Sequence, residues 1–248
     1  MPVKIIADSN DNTDYAELLE SIKAPKHPLK AVMFGGLNGD KAVLVRHDID
    51  YRMDHALEFA RYEASLGCFA TYFLLHTAQY FDYSKVFGMQ VAELHDLGHE
   101  VGLHSAFISD WYTNGGKCDP AKPIGFLRKH TMGGVIGTAA HGDKICYDHD
   151  FVNYEVWKEC QKLREKPGPW PKFKLSDFGL EYEAYSLPRD AYLTDTGHNW
   201  KGALRFMPLF ERWSDPLLKD ATIEGFNAMP EGSIMQLLVH PIWWKVIK

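Results

Sequence analysis

The sequence predicts an α/β fold, a single barrel domain spanning residues 1–248. Three observations predict it. Short apolar runs alternate with helical patterns along the chain, the signature of parallel strands joined by crossover helices. A length of 248 residues suits one (β/α) barrel without a split into domains. Acids and histidines recur at the ends of the strand-like runs, where the reactive rim of such a barrel lies.

Taken in order, residues 14–24 read as a helix with Leu18, Leu19 and Ile22 on one face. Residues 42–49 form a strand. Residues 54–66 form a helix that Asp54 is expected to cap and Gly67 to end. Residues 68–75, rich in aromatic and β-branched side chains, predict a strand. A helix follows over 84–97, closed by Gly98, then a short strand over 100–104. Residues 124–131 read as a short helix, 134–140 as a strand of small residues, and 153–166 as a helix. Ala191 to Thr194 and Ile234 to Val239 predict strands, with a helical pattern from Leu217 to Ala228 between them. The segment 166–171, dense in Pro and Gly, reads as a stiff surface connection and not a domain boundary.

Composition narrows the function. The formal charge of −6 argues against binding a phosphate backbone, which needs a basic stripe. Cys68, Cys118, Cys146 and Cys160 form no C-x-x-C pair and are expected as free thiols of a cytoplasmic protein. The N-terminus shows no apolar signal segment, and no stretch approaches the ~20 apolar residues of a membrane span.

The strand ends carry the chemistry. The first ends Arg46-His47-Asp48-Ile49-Asp50, where the two acids alternate onto one face. Later strands end near His76, at His104, at His141, at Asp195 and at His240. Two carboxylates with several imidazoles on one rim suit a divalent metal, zinc being the expected ion. Such an ion lowers the pKa of a water and polarises a carbonyl. A second carboxylate can act as base and an opposing His can protonate a departing amine, which together serve amide or ester hydrolysis. His47 is expected in packing. His99, five residues before His104, is expected to bond backbone between helix and strand, and Glu100 to sit in a salt bridge.

The runs Arg46-His47-Asp48-Ile49-Asp50-Tyr51, Leu97-Gly98-His99-Glu100-Val101-Gly102-Leu103-His104-Ser105 and Leu237-Leu238-Val239-His240-Pro241 resemble those of the NodB-homology polysaccharide deacetylases, the family 4 carbohydrate esterases. The likeness spans roughly residues 42–244. It is strongest to members encoded with lipopolysaccharide and capsule genes. The resemblance implies a distorted (β/α)7 barrel. It implies Asp48 as base, Asp50 and His104 as metal ligands, and His240 as general acid.

The sequence departs from the family pattern in two places. Ile108 stands where the second metal His is usual, so His141, ending the next strand before Gly142, is taken as the third ligand. The family's Arg-x-Pro motif is missing, and Arg46 is the candidate to steady the base. Arg46, His76, Asp195, His198 and Trp200 are assigned to substrate binding. Trp243 and Trp244 are further candidates to stack on a sugar ring, while Trp111 and Tyr112 line an outer loop.

The expected function is thus removal of an N-acetyl or other small acyl group from an amino sugar in O-antigen or capsule biosynthesis. The substrate would be nucleotide-linked, lipid-linked or a nascent glycan. The alternative is a catalytically degenerate barrel that binds glycan or serves as a scaffold.

Overall fold

A computed structural model describes residues 3–8, 12–33, 36–164, 168–205 and 216–248. The chain opens with β1 (Lys4–Ala7), α1 (Tyr15–Ser21), β2 (Lys26–His27), β3 (Ala42–Ile49), α2 (Met53–Ser65) and β4 (Thr71–Leu75). It continues through α3 (Lys85–Asp96), β5 (Glu100–Ser105), α4 (Phe107–Thr113), α5 (Ala121–His130), β6 (Gly137–Ala140), α6 (Lys144–His149) and β7 (Tyr182–Glu183). It closes with β8 (Ala191–Thr194), β9 (Lys201–Leu204), α7 (Pro216–Ala228), β10 (Ile234–Val239) and β11 (Trp244–Ile247). The chain is therefore an α/β protein, its strands alternating with helices. It groups into two compact units: Met1–Tyr72 with Leu97–His99 and Pro188–Lys248, and Phe73–Asp96 with Glu100–Leu187.

In the first unit β10 lies between β3 and β8 and is parallel to both, pairing Leu237 with Val45 and with Leu193. β2 runs parallel to β3, and β9 turns back antiparallel on β8. Every residue of β3 is buried, as a parallel strand covered on both faces requires. Its polar residues come only at its C-terminal end. β1 and β11 form a separate antiparallel pair with Ala7 opposite Trp244.

Asp14 caps α1 by accepting the Ala16 N–H at 2.9 Å. α2 starts one residue before the sequence suggests, and Asp54 is not its cap. The Arg52 guanidinium takes the Asp54 carboxylate instead, in a pair at 2.6 Å. Gly67 and Gly98 follow their helices with φ of +68° and +91°, the left-handed turn that favours glycine.

The inner face of α2 buries Glu63, which accepts the hydroxyls of Tyr15 and Tyr72 and meets His47 Nε2 at 2.8 Å. Burial pushes the Glu63 carboxyl up, but His47, with His99 and the Tyr15 hydroxyl, outweighs it, so its pKa lies below the usual range. His47 also reaches the Val239 carbonyl through Nδ1 at 2.9 Å, so it ties strands together as well as packing. His99 spans helix and strand: its Nε2 meets the Ala60 carbonyl and its Nδ1 accepts the Ala70 N–H. Residues 68–70 thereby stay out of the strand, which begins at Thr71.

In the second unit β6 lies between β5 and β7, parallel to both. The small residues of β6 have a packing reason: a Cβ on Gly137 would fall 2.2 Å from the Tyr182 ring. That ring's hydroxyl donates to Glu100 at 2.8 Å, so a tyrosine is one partner of the buried carboxylate. The helix expected over 153–166 is instead two 3-10 turns, Asn153–Val156 and Lys158–Leu163, with Lys166 outside the described residues. Buried Trp157 sits between the turns and bridges to Phe173, which interrupts α-helical bonding. All four cysteines are free. Among the described residues no helix is long and apolar enough to cross a membrane.

Candidate active site

The second unit brings three histidines to neighbouring strand ends. The parallel register of β5 and β6 sets His104 beside Ala139 and Ser105 beside Ala140. His141 comes next, its N–H bonded to the Ser105 carbonyl at 2.9 Å. His104 is buried and donates Nδ1–H to the Ala139 carbonyl at 2.9 Å, which leaves the lone pair of Nε2 pointing away from the strand. That nitrogen lies 3.1 Å from His141 Nδ1, with the rings nearly perpendicular.

His76 stands close by but is committed elsewhere. Its Nε2 accepts the Ala106 N–H at 3.0 Å and its ring stacks on Phe107 at 4.5 Å. Burial, reinforced by His104 and His141, pulls its pKa down to about 3, so it is neutral with the proton on Nδ1. Ile108, at the position where the family has a second metal His, is buried in α4.

The first unit holds the acids and the opposing histidine. Arg46 clamps Asp48 through two parallel bonds, Nε to Oδ1 at 2.8 Å and Nη2 to Oδ2 at 2.7 Å. The Arg46 side chain is 0% exposed and packs against the carboxylate. Asp50, two residues on along the alternation, is half-buried, and Tyr51 beyond it is exposed.

At the end of β10, His240 donates Nδ1–H to Asp195 Oδ1 at 2.7 Å. The His240 backbone N–H lies 3.1 Å from both carboxylate oxygens, and the Trp244 indole donates to Oδ2 at 2.8 Å. Asp195 is thus an anchor for His240, its buried carboxylate taken up by these donors. Burial pushes the His240 pKa down, but Asp195, with smaller help from Asp48 and Asp50, carries it above the ordinary imidazole value.

The aromatic groups divide. Trp200 and Trp244 are buried, 6.1 Å apart, and belong to the core. Half-buried Trp243 lies over the His240 ring at 4.4 Å and meets exposed His198 at 4.8 Å. His198 has a φ of +62°, uncommon for this residue type, which turns its ring onto Trp243. Ala7, Asp195, His198, Trp200, Trp243 and Trp244 line one small concavity. In the second unit Tyr112 stacks on His149 at 4.1 Å.

Sequence reasoning did not single out Asn153, whose side chain reaches both α4 and the His141 backbone. No local motif marks it, because its partners lie 12 and 45 residues away.

No family model matches the chain, and no curated protein matches it. Solved structures that resemble it include the catalytic domain of a peptidoglycan N-acetylglucosamine deacetylase from Eubacterium rectale ATCC 33656. That match has 13% identity and a TM-score of 0.46 and covers 82% of this chain and 77% of that one. A CE4 esterase from Streptococcus mutans matches at 13% identity and a TM-score of 0.47, covering 88% and 80%. A family 4 carbohydrate esterase from Bacillus anthracis matches at 16% identity and a TM-score of 0.31, covering 50% and 56%. At these scores the functional reading rests on the residues of this chain.

Proposed function

We propose that the chain is a metal-dependent deacetylase that hydrolyses an N-acetyl or other small acyl group on an amino sugar. The observation that carries the reading is the 3.1 Å approach of His104 Nε2 to His141 Nδ1. Two imidazole nitrogens ~2.0–2.1 Å from one tetrahedral zinc lie about 3.3 Å apart, so the pair has the spacing of two ligands to one ion. The Ala139 carbonyl, by fixing the His104 tautomer, supports it as a ligand. Asp50 is proposed as the third ligand from its place in the first strand-end motif, since one carboxylate with two imidazoles is a donor set of the kind that holds a zinc ion. Zinc suits this mix of imidazole and carboxylate.

A bound divalent ion would supply Lewis acidity, polarising the amide carbonyl and acidifying a water. The remaining steps belong to the chain's own residues. Asp48, held in one orientation by Arg46, takes a proton from water as its oxygen attacks the carbonyl carbon. The C–N bond then breaks. His240 gives its Nε2 proton to the departing amine, while Asp195 holds Nδ1–H and favours the imidazolium beforehand. Acetate and a free amino sugar result.

The substrate class, an amino sugar of surface-polysaccharide (O-antigen or capsule) biosynthesis, is proposed from the sequence motifs. It would be presented as a nucleotide-linked, lipid-linked or nascent glycan.

Metal content together with turnover tests the reading. The purified protein is expected to hold about one equivalent of zinc and to release acetate from N-acetylated amino sugars. Asp50→Ala should lose the metal. Asp48→Asn should keep the metal and lose turnover by roughly 10²–10⁴-fold. A wild-type protein that takes up no divalent ion overturns the proposal. Metal loss in Asp48→Asn would exchange the roles of the two acids.

A further inference from the structure

We infer that Asn153 is a positioning residue for the His141 ligand, acting as a bracket between α4 and the His141 backbone. The inference rests on the metal reading above. Asn153 is 0% exposed and every polar atom of its side chain is engaged. Its Oδ1 accepts the N–H of Ile108 at 2.9 Å and of Ser109 at 3.1 Å. Its Nδ2 donates to the His141 carbonyl at 2.9 Å and to Ser109 Oγ at 3.0 Å, and lies 3.3 Å from Cys146 Sγ.

These contacts meet two needs at once. α4 begins after Ala106, which offers no side-chain oxygen to the first N–H groups of the helix. Asn153 supplies that oxygen from a distant part of the chain. The His141 carbonyl sits where the chain leaves β6 and accepts from Asn153 Nδ2 at 2.9 Å and, weakly at 3.8 Å, from Cys146 Sγ. The same amide plane thus spans the helix that follows the His104 strand and the backbone of His141. The bracket holds the two strand ends, and so the two ring nitrogens, at one spacing.

The chemistry demands an amide. Asn carries an acceptor and a donor on one rigid group. With two backbone N–H groups at Oδ1 and a carbonyl at Nδ2, only one orientation of the amide pairs every contact. Asp would keep the helix cap but face the His141 carbonyl with a second acceptor. Ala would remove both functions. Groups that orient metal ligands from outside typically contribute 10–100-fold in metal affinity.

Asn153→Asp separates the two roles. Zinc affinity is measured by competition with a chromophoric chelator. The cobalt-substituted protein is examined by its d–d absorption, which reports ligand geometry and not fold stability. Asn153→Asp places a carboxylate oxygen against the His141 carbonyl in a buried site and is expected to fold but melt below the wild type, to bind zinc about 10–100-fold more weakly, and to shift the cobalt bands. Asn153→Ala should bind as weakly and also melt lower. A wild-type affinity and an unshifted cobalt spectrum in Asn153→Asp overturn the bracket while leaving the metal reading intact. A wild-type chain that binds neither ion overturns both. Should Asn153→Asp fail to fold, the wild-type protein decides: the Asn153 side-chain amide resonances should move on adding zinc. If zinc binds and they stay in place, the inference falls.

Discussion

Replacing Asp195 by Asn tests what sets the charge of His240. The carboxylate accepts His240 Nδ1–H at 2.7 Å, the His240 backbone N–H and the Trp244 indole N–H. Asparagine has nearly the same shape but no charge, and it presents an NH2 group where one oxygen stood. A hydrogen bond to a charged partner contributes about 1.5–3 kcal/mol, against ~1 for a neutral one. At 1.36 kcal/mol per pKa unit, that difference of about 0.5–2 kcal/mol is a loss of support for the imidazolium equal to about 0.4–1.5 units.

The His240 titration, followed by NMR in histidine-labelled protein, is therefore expected to move down by that amount. The falling limb of any pH–rate profile should move down with it. The sign for stability follows. The raised His240 pKa contributes fully below the ordinary imidazole value and is lost as pH rises through the folded one. The variant should lack this pH-dependent increment. The misplaced NH2 also leaves a buried donor unmet, at about 1–3 kcal/mol. An unchanged His240 midpoint in Asp195→Asn would refute the claim that Asp195 governs its protonation.

Two further variants probe packing and charge burial. Arg46→Met leaves the buried Asp48 without its guanidinium and should cost about 3–5 kcal/mol in denaturant unfolding, while Arg46→Met combined with Asp48→Leu should recover most of that loss. Full stability in the single variant would show that Asp48 finds other compensation. Gly137→Ala drives a methyl to within 2.2 Å of the Tyr182 ring and should destabilise by about 1–3 kcal/mol, read as a lower melting temperature, with metal content unchanged.

The strands that place the site were legible because they are continuous buried apolar runs. β3, β8 and β10 have the predicted ends, and a polar residue stands where each apolar run stops. Elements fixed by distant pairing were not legible. β1 and β11 are four-residue strands that pair across almost the whole length of the chain, and β9 depends on β8 for its direction. Residues 153–166 have helical spacing, but Asn153 turns its side chain to α4 and Trp157 is drawn into a bridge with Phe173.

The same divide runs through the site. Asp48, Asp50, His104, His141 and His240 announce themselves at strand ends. The couplings between side chains do not. Asp195 was expected at the substrate, and its bond to His240, a partner 45 residues later, leaves no local signal in the sequence. Arg46 was read both ways, and its burial against Asp48 is a packing outcome that the sequence does not display. Asp54 as a cap failed because the helix begins at Met53, which places Asp54 inside its first turn, paired with Arg52.

The pairing of β1 with β11 reaches further than its four residues suggest. Ala7 lies opposite Trp244, and the Asp8 N–H grips the Trp243 carbonyl at 2.8 Å. One of these tryptophans covers the His240 ring and the other steadies Asp195. A leash of five residues near the start of the chain therefore restrains the proposed proton donor from behind, through the two tryptophans. Trimming residues 1–8 would leave each proposed reacting group in the polypeptide and slacken the hold on one of them.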